Sequence, residues 1–161
     1  MSRAAVCDII VAQDRLAGWI QHFFLCPNYW KKYRLTVPSR WQTQKLERTN
    51  ANRVPETPGI YTLILQPGIA AHPACSYLMY VGKTDSLRRR FSEYLGKERR
   101  FPGRTKVVRF LNKYNKYIHF CFFPATLDAL SAQEDNLIEA YLPPLNCKYK
   151  GSLSVVMGAF Q

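Results

Sequence analysis

Two runs of strand-forming residues lie close together in the middle of the chain and constrain its fold more than any other feature. Ile60-Tyr61-Thr62-Leu63-Ile64-Leu65 is one, and Tyr77 to Val81 is the other, after a connection bearing Pro67, Gly68 and Pro73. β-Branched and aromatic residues suit a pleated surface, and Pro and Gly punctuate it. A hairpin is the expected result. Thr84 or Asp85 can then cap a helix carrying Leu87, Phe91, Tyr94 and Leu95, with Gly96 as its C-terminal stop. Tyr117 to Phe123 reads as a third strand, and Thr126 to Leu142 as a helix ended by Pro143. The expectation is an α+β fold: a small three-stranded, mainly antiparallel sheet flanked by helices.

Thr49-Asn50-Ala51-Asn52, Pro55 and Pro58 mark turns. They divide the chain into an N-terminal extension, 1–55, a core, 56–150, and a C-terminal tail, 151–161. In the extension, Leu16, Trp19, Ile20, Phe23 and Phe24 have the spacing of an amphipathic helix packed on the core. From Trp30 to Arg53 the composition turns basic: Lys31, Lys32, Arg34, Arg40, Lys45, Arg48 and Arg53 accompany one acid, Glu47, with Trp30, Tyr33 and Trp41 interleaved. Such a segment can bind phosphates and stack on bases, or form a solvated, partly packed surface. A second basic stretch runs from Lys83 to Lys116, with twelve Lys or Arg against Asp85, Glu93 and Glu98.

The 161 residues carry a formal charge of +12. A surplus of that size attracts polyanions, nucleic acid among them, without establishing that nucleic acid is bound. Acidic membranes attract it too, but no apolar run reaches the ~18 residues of a membrane span. Asp8 and Asp14 interrupt the N-terminal apolar stretch, which argues against an export signal. Five widely spaced cysteines, Cys7, Cys26, Cys75, Cys121 and Cys147, suggest neither a disulfide framework nor a zinc knuckle. A reducing cytoplasm is the simplest setting. His22, His72 and His119 support no zinc or HNH assignment.

Five signatures stand in order: Pro58-Gly59-Ile60-Tyr61, Tyr80-Val81-Gly82-Lys83, Arg90 in a helix-like run, Glu134, and Asn146. Their order resembles that of the GIY-YIG nuclease superfamily, with Glu134-Asp135-Asn136-Leu137-Ile138, Tyr141, Pro143 and Asn146 closest to the repair incision branch. Val81 stands where the family name has isoleucine. The resemblance implies a divalent-metal-dependent endonuclease over roughly residues 56 to 150.

It also implies roles. Glu134 would bind one Mg²⁺ or Mn²⁺, and Arg90 would stabilise charge on the reacting phosphate, helped by Lys83. Tyr61 would be the general base and Tyr80 its assistant, provided nearby cations or the metal favour phenolate, since a free tyrosine titrates near ~10. Asn146 would orient the phosphate-bearing strand or brace the centre. The residues alone leave alternatives open. Glu134 shares an apolar helix face with Leu127, Leu130, Leu137, Ile138 and Tyr141, and Ser131-Ala132-Gln133-Glu134 also matches a capping box. Helical geometry turns Arg89 away from the Leu87–Phe91–Tyr94 face while Arg88 and Arg90 flank it, and periodicity does not choose between the flanks.

Candidate phosphate contacts are Arg88, Arg89, Lys97, Arg99, Arg100, Arg104 and Lys106. DNA is the expected partner, with RNA, a protein partner and a homodimer left open. A noncatalytic nucleic-acid-binding module of the same fold and an RNA-directed nuclease are the competing readings.

Overall fold

The computed structural model describes residues 21–33, 40–67, 75–96 and 105–146. In chain order these form α1 (Pro27–Tyr33), β1 (Gln42–Lys45), a 3-10 segment (Arg48–Arg53), β2 (Gly59–Leu65), β3 (Tyr77–Thr84), α2 (Leu87–Leu95), α3 (Thr105–Lys113), β4 (Ile118–Pro124) and α4 (Leu130–Tyr141). The sheet is antiparallel throughout, in the order β1-β4-β2-β3. The fold is α+β as expected, but the sheet has four strands rather than three. The extra strand, β1, comes from the basic extension and pairs Gln42 with Phe122 through Lys45 with His119. Gln-Thr-Gln-Lys has no apolar alternation to betray it. An edge strand needs little, because its ladder to β4 does the stabilising.

Alternation along the strands sends side chains to two cores. One face carries Tyr61, Leu63, Tyr80, Phe120 and Phe122, covered by Leu87, Phe91 and Tyr94 of α2 and by Val107, Phe110 and Leu111 of α3. Leu46 and Val54 of the extension are buried in the same cluster. The other face carries Ile60, Val81 and Phe123 beneath Leu130, Leu137 and Ile138 of α4. Each large apolar side chain fully withdrawn from water contributes about 2 kcal/mol before ordering costs.

Several expected details change. Ser86, not Thr84 or Asp85, caps α2: in extended conformation, its hydroxyl accepts the Arg89 N–H at 3.3 Å. The Thr84 hydroxyl instead donates to the Ser86 carbonyl at 3.0 Å, fixing the turn one residue later. Helix α4 begins at Leu130 rather than near Thr126, leaving Leu127 exposed. Ser131 is therefore already helical, so the capping box with Glu134 does not form. At its other end the helix closes where expected: Leu142 is the C-cap, its N–H donating to the Ile138 carbonyl at 2.8 Å in the left-handed conformation (φ 45°) before Pro143. Of the proposed N-terminal helix, residues 16–20 lie outside the described residues, and residues 21–26 are not helical. No helix among the described residues is long and apolar enough to cross a membrane.

The outer edge of β3 is closed by the chain that follows α4. Between Leu63 and Ile64 the β2–β3 register shifts, with Leu63 opposite Tyr80 and Ile64 opposite Leu78. Met79 is the extra residue of this bulge, and its carbonyl accepts the Leu145 N–H at 3.0 Å.

Candidate active site

Tyr61 lies in the middle of the first core, fully buried. Its ring stacks on Phe120 at 5.0 Å between centroids and meets Tyr94 edge-on at 5.8 Å and Tyr80 at 6.2 Å. The Tyr61 and Tyr94 hydroxyls share a hydrogen bond of 2.8 Å. Opposite Tyr61 in the ladder stands Gly82. A Cβ there would fall 2.5 Å from the Tyr61 hydroxyl oxygen and 2.6 Å from Cζ. Neither a rigid ring nor a strand backbone yields that much, so glycine is what lets the phenol pass. Gly59 is tight for another reason: its Cβ would lie 2.5 Å from the Phe123 carbonyl oxygen.

Burial holds the Tyr61 phenol well above the ordinary tyrosine range. Tyr94 and Tyr80 push it the same way, and the positive charge of Arg90 pulls it down by less. Loss of hydration thus works against the phenolate at Tyr61, and the charge of Arg90 offsets part of it. Burial therefore favours the neutral phenol at Tyr61.

The three consecutive arginines separate cleanly. Arg88 turns back along the extension, where its Nε donates to the Val54 carbonyl at 2.7 Å and its Nη1 to Glu56 at 2.6 Å. Arg89 is 56% exposed and pairs with Asp85 and, at 3.5 Å, with Glu93. Arg90 is 18% exposed, close enough to Tyr61 for its charge to act on the phenol, and its Nη1 pairs with Glu93 at 2.7 Å. Its Nε is buried with no hydrogen-bond partner among the described residues. Of the remaining candidate phosphate contacts, Lys106 is exposed at the start of α3, whereas Lys97, Arg99, Arg100 and Arg104 lie outside the described residues.

A second cluster occupies the other face. Lys83 pairs in register with Ile60, so it shares the α4 side of the sheet. Its Nζ lies 3.2 Å from Glu134 Oε2 and donates to the Ser131 hydroxyl at 2.9 Å. Glu134 is 18% exposed, sheltered enough that its charge is not fully screened. Between the faces sits Asn146. Its Oδ1 accepts the Val81 N–H at 2.9 Å, and its Nδ2 donates to the Val81 carbonyl at 2.9 Å. The carboxamide is therefore committed to the free edge of β3, immediately after Tyr80 and two residues before Lys83.

The six candidate residues thus form two groups joined by one strand, rather than one pocket. Tyr61, Tyr80 and Arg90 are together, Lys83 and Glu134 are together, and Asn146 pins the backbone that bears both. Sequence reasoning overlooked Tyr94, Ser131 and Glu93. Tyr94 follows Arg90 by four residues and Glu93 follows it by three, so both share its side of α2. That spacing was the available signal. Ser131 offered none until α4 was laid against β3.

Among the described residues no three His, Cys, Asp or Glu side chains gather as a metal cluster. One sheltered carboxylate is nevertheless a sufficient protein donor for Mg²⁺, which keeps several waters and takes one or two carboxylates. The position of Lys83 shows that Glu134 Oε2 already faces a cation.

The family model described as the GIY-YIG catalytic domain matches residues 59–150. Over 99 residues the chain is 34% identical to the UvrABC system protein C of Bacteroides fragilis, a match covering 62% of this chain and 14% of that protein. The figures are the same for the protein from a second strain of that species. The chain therefore spans a small part of the length of the curated relatives it matches. Among solved structures, the GIY-YIG N-terminal endonuclease domain of UvrC from Thermotoga maritima, bound to its catalytic divalent cation, magnesium, aligns at 23% identity and a TM-score of 0.45, covering 64% of this chain and 97% of that one. A point mutant of the same domain gives 23% identity and a TM-score of 0.45 over 65% and 98% of the two chains. Because the family match runs from the first residue of β2 to just beyond Asn146 and takes in more than half of the 161 residues, the chain belongs to the GIY-YIG family.

Proposed function

We propose that this chain is a divalent-metal-dependent endonuclease that hydrolyses DNA phosphodiester bonds. The observation that carries the reading is the Glu134–Lys83 pair, a sheltered carboxylate set against the same end of β3 that presents Tyr80 and the Tyr61–Gly82 contact. Glu134 would hold Mg²⁺ or Mn²⁺, both of which accept oxygen ligands and retained water. When bound, the cation supplies Lewis acidity, neutralising phosphate charge and making a bound water easier to ionise.

The chain's own groups do the rest. A phosphodiester would meet both groups at the β3 margin, where Gly82 and Lys83 are consecutive but face opposite sides. Arg90 offsets the negative charge that builds on the phosphate oxygens, and its low exposure strengthens that effect. As a neutral phenol, Tyr61 orients water or a phosphate oxygen through its hydroxyl, and Tyr80 completes the aromatic wall. Asn146 holds the strand carrying these groups in register. The exposed Arg89 and Lys106 would add sequence-independent attraction to the DNA backbone.

The test is incubation of the purified protein with supercoiled, linear and single-stranded DNA and matched RNA, with and without Mg²⁺ or Mn²⁺. Metal-dependent nicking of DNA is expected. Stable DNA binding without cleavage would make the chain a noncatalytic binding module, and cutting confined to RNA would make it a ribonuclease.

A further inference from the structure

Glu93 already engages the guanidinium that the proposed reaction requires for phosphate. Its Oε2 lies 2.7 Å from Arg90 Nη1, one helical turn along α2, and carboxylate and phosphate make the same use of a guanidinium edge. Glu93 is also the more exposed partner, 37% against 18%, so it can turn to water while Arg90 stays sheltered. It has somewhere to go. Arg89 Nε is 3.5 Å from the other carboxylate oxygen, and Asp85 holds Arg89 within reach from one turn earlier.

We propose that Glu93 is an intramolecular competitor for Arg90: its carboxylate holds the guanidinium until a substrate phosphodiester displaces it towards Arg89. Glu93 is then a positioning residue acting only through Arg90, and it sets the affinity for substrate rather than the speed of the chemical step. The inference rests on the nuclease reading above. Opposed to it is the plain alternative that Glu93 is one more surface acid, removal of which tightens DNA binding by general attraction.

A double-mutant cycle separates them. Fluorescence anisotropy with a short DNA duplex in EDTA gives Kd for wild type, Glu93→Gln, Arg90→Ala and the double variant. Arg89→Ala, with and without Glu93→Gln, and Glu56→Gln, which removes an exposed acid paired with Arg88, serve as controls. Cleavage with Mg²⁺ gives kcat and KM, and thermal melts verify folding. Glu93→Gln is expected to lower Kd and KM about fivefold with kcat unchanged, as suits loss of one partly sheltered ion pair. The gain should vanish in the Arg90→Ala background and persist in the Arg89→Ala background. An equal gain from Glu56→Gln, a gain surviving Arg90→Ala, or no gain at all overturns the proposal while wild-type cleavage leaves the nuclease reading standing. A folded wild type that neither binds nor cleaves DNA overturns both.

Discussion

Asn146 satisfies both backbone groups of Val81 with a single carboxamide, accepting from the N–H and donating to the carbonyl at 2.9 Å each. Val81 lies on the strand at the sheet's edge, and Asn146 itself is buried, so water does not readily replace the lost side chain. Asn146→Ala should therefore cost about 1–3 kcal/mol, the range for leaving buried hydrogen-bonding groups unpaired. Urea denaturation of the folded variant measures it. A variant as stable as wild type would show that the β3 edge does not depend on this clamp.

Glu134 and the basic surface perform separable tasks in the proposed nuclease. Glu134→Ala removes the carboxylate beside Lys83 without touching Arg89 or Lys106. We predict loss of detectable cleavage with DNA affinity retained or slightly raised, measured by plasmid nicking and by anisotropy. Near-wild-type turnover by the folded variant would defeat the metal assignment.

Arg90 and Arg89 are neighbours with different surroundings, one 18% exposed and the other 56% exposed. Arg90→Ala should lower turnover by at least ~100-fold, as loss of a charge-stabilising group in a sheltered site does. Arg89→Ala should mainly weaken binding and flatten its salt dependence. Equal effects of both substitutions on turnover and on binding would mean a diffuse basic patch rather than a directed guanidinium.

Tyr61→Phe keeps the ring stacked on Phe120 and deletes the hydroxyl bonded to Tyr94. It should cost about 1 kcal/mol in stability, bind DNA normally and lose at least ~100-fold in single-turnover cleavage. Normal cleavage by this variant would make the hydroxyl purely structural.

The same residue makes stability depend on pH in one direction. The unfolded chain releases a tyrosine proton near ~10, while the folded protein keeps the Tyr61 proton to higher pH. Above that point the unfolded state binds fewer protons, so this contribution is complete below pH ~10 and is lost as pH rises through the folded-state value. Urea midpoints of wild type should fall more steeply between pH 9 and 11 than those of Tyr61→Phe. Parallel curves would contradict the buried neutral phenol.

The hairpin, β4, α2 and α4 were legible in the chain because each buries one face, and burial writes a period of two or 3.6 into the residues. The ordered Tyr, Arg, Glu and Asn signatures were legible as well, because they are local strings. The polar edge strand β1 and the helices α1 and α3 were not read, since short or basic segments become regular only when a neighbour supplies the partner. Which of Arg88, Arg89 and Arg90 is the most sheltered was beyond periodicity, and packing of α2 decided for Arg90. Packing likewise decided that the Tyr61 phenol is buried, that Lys83 and Glu134 pair, and that Asn146 serves Val81. By itself the sequence determined which groups are present and the elements that carry them. Charge state and partnership depend on distance and desolvation between segments remote in the chain, and only the tertiary structure supplies those.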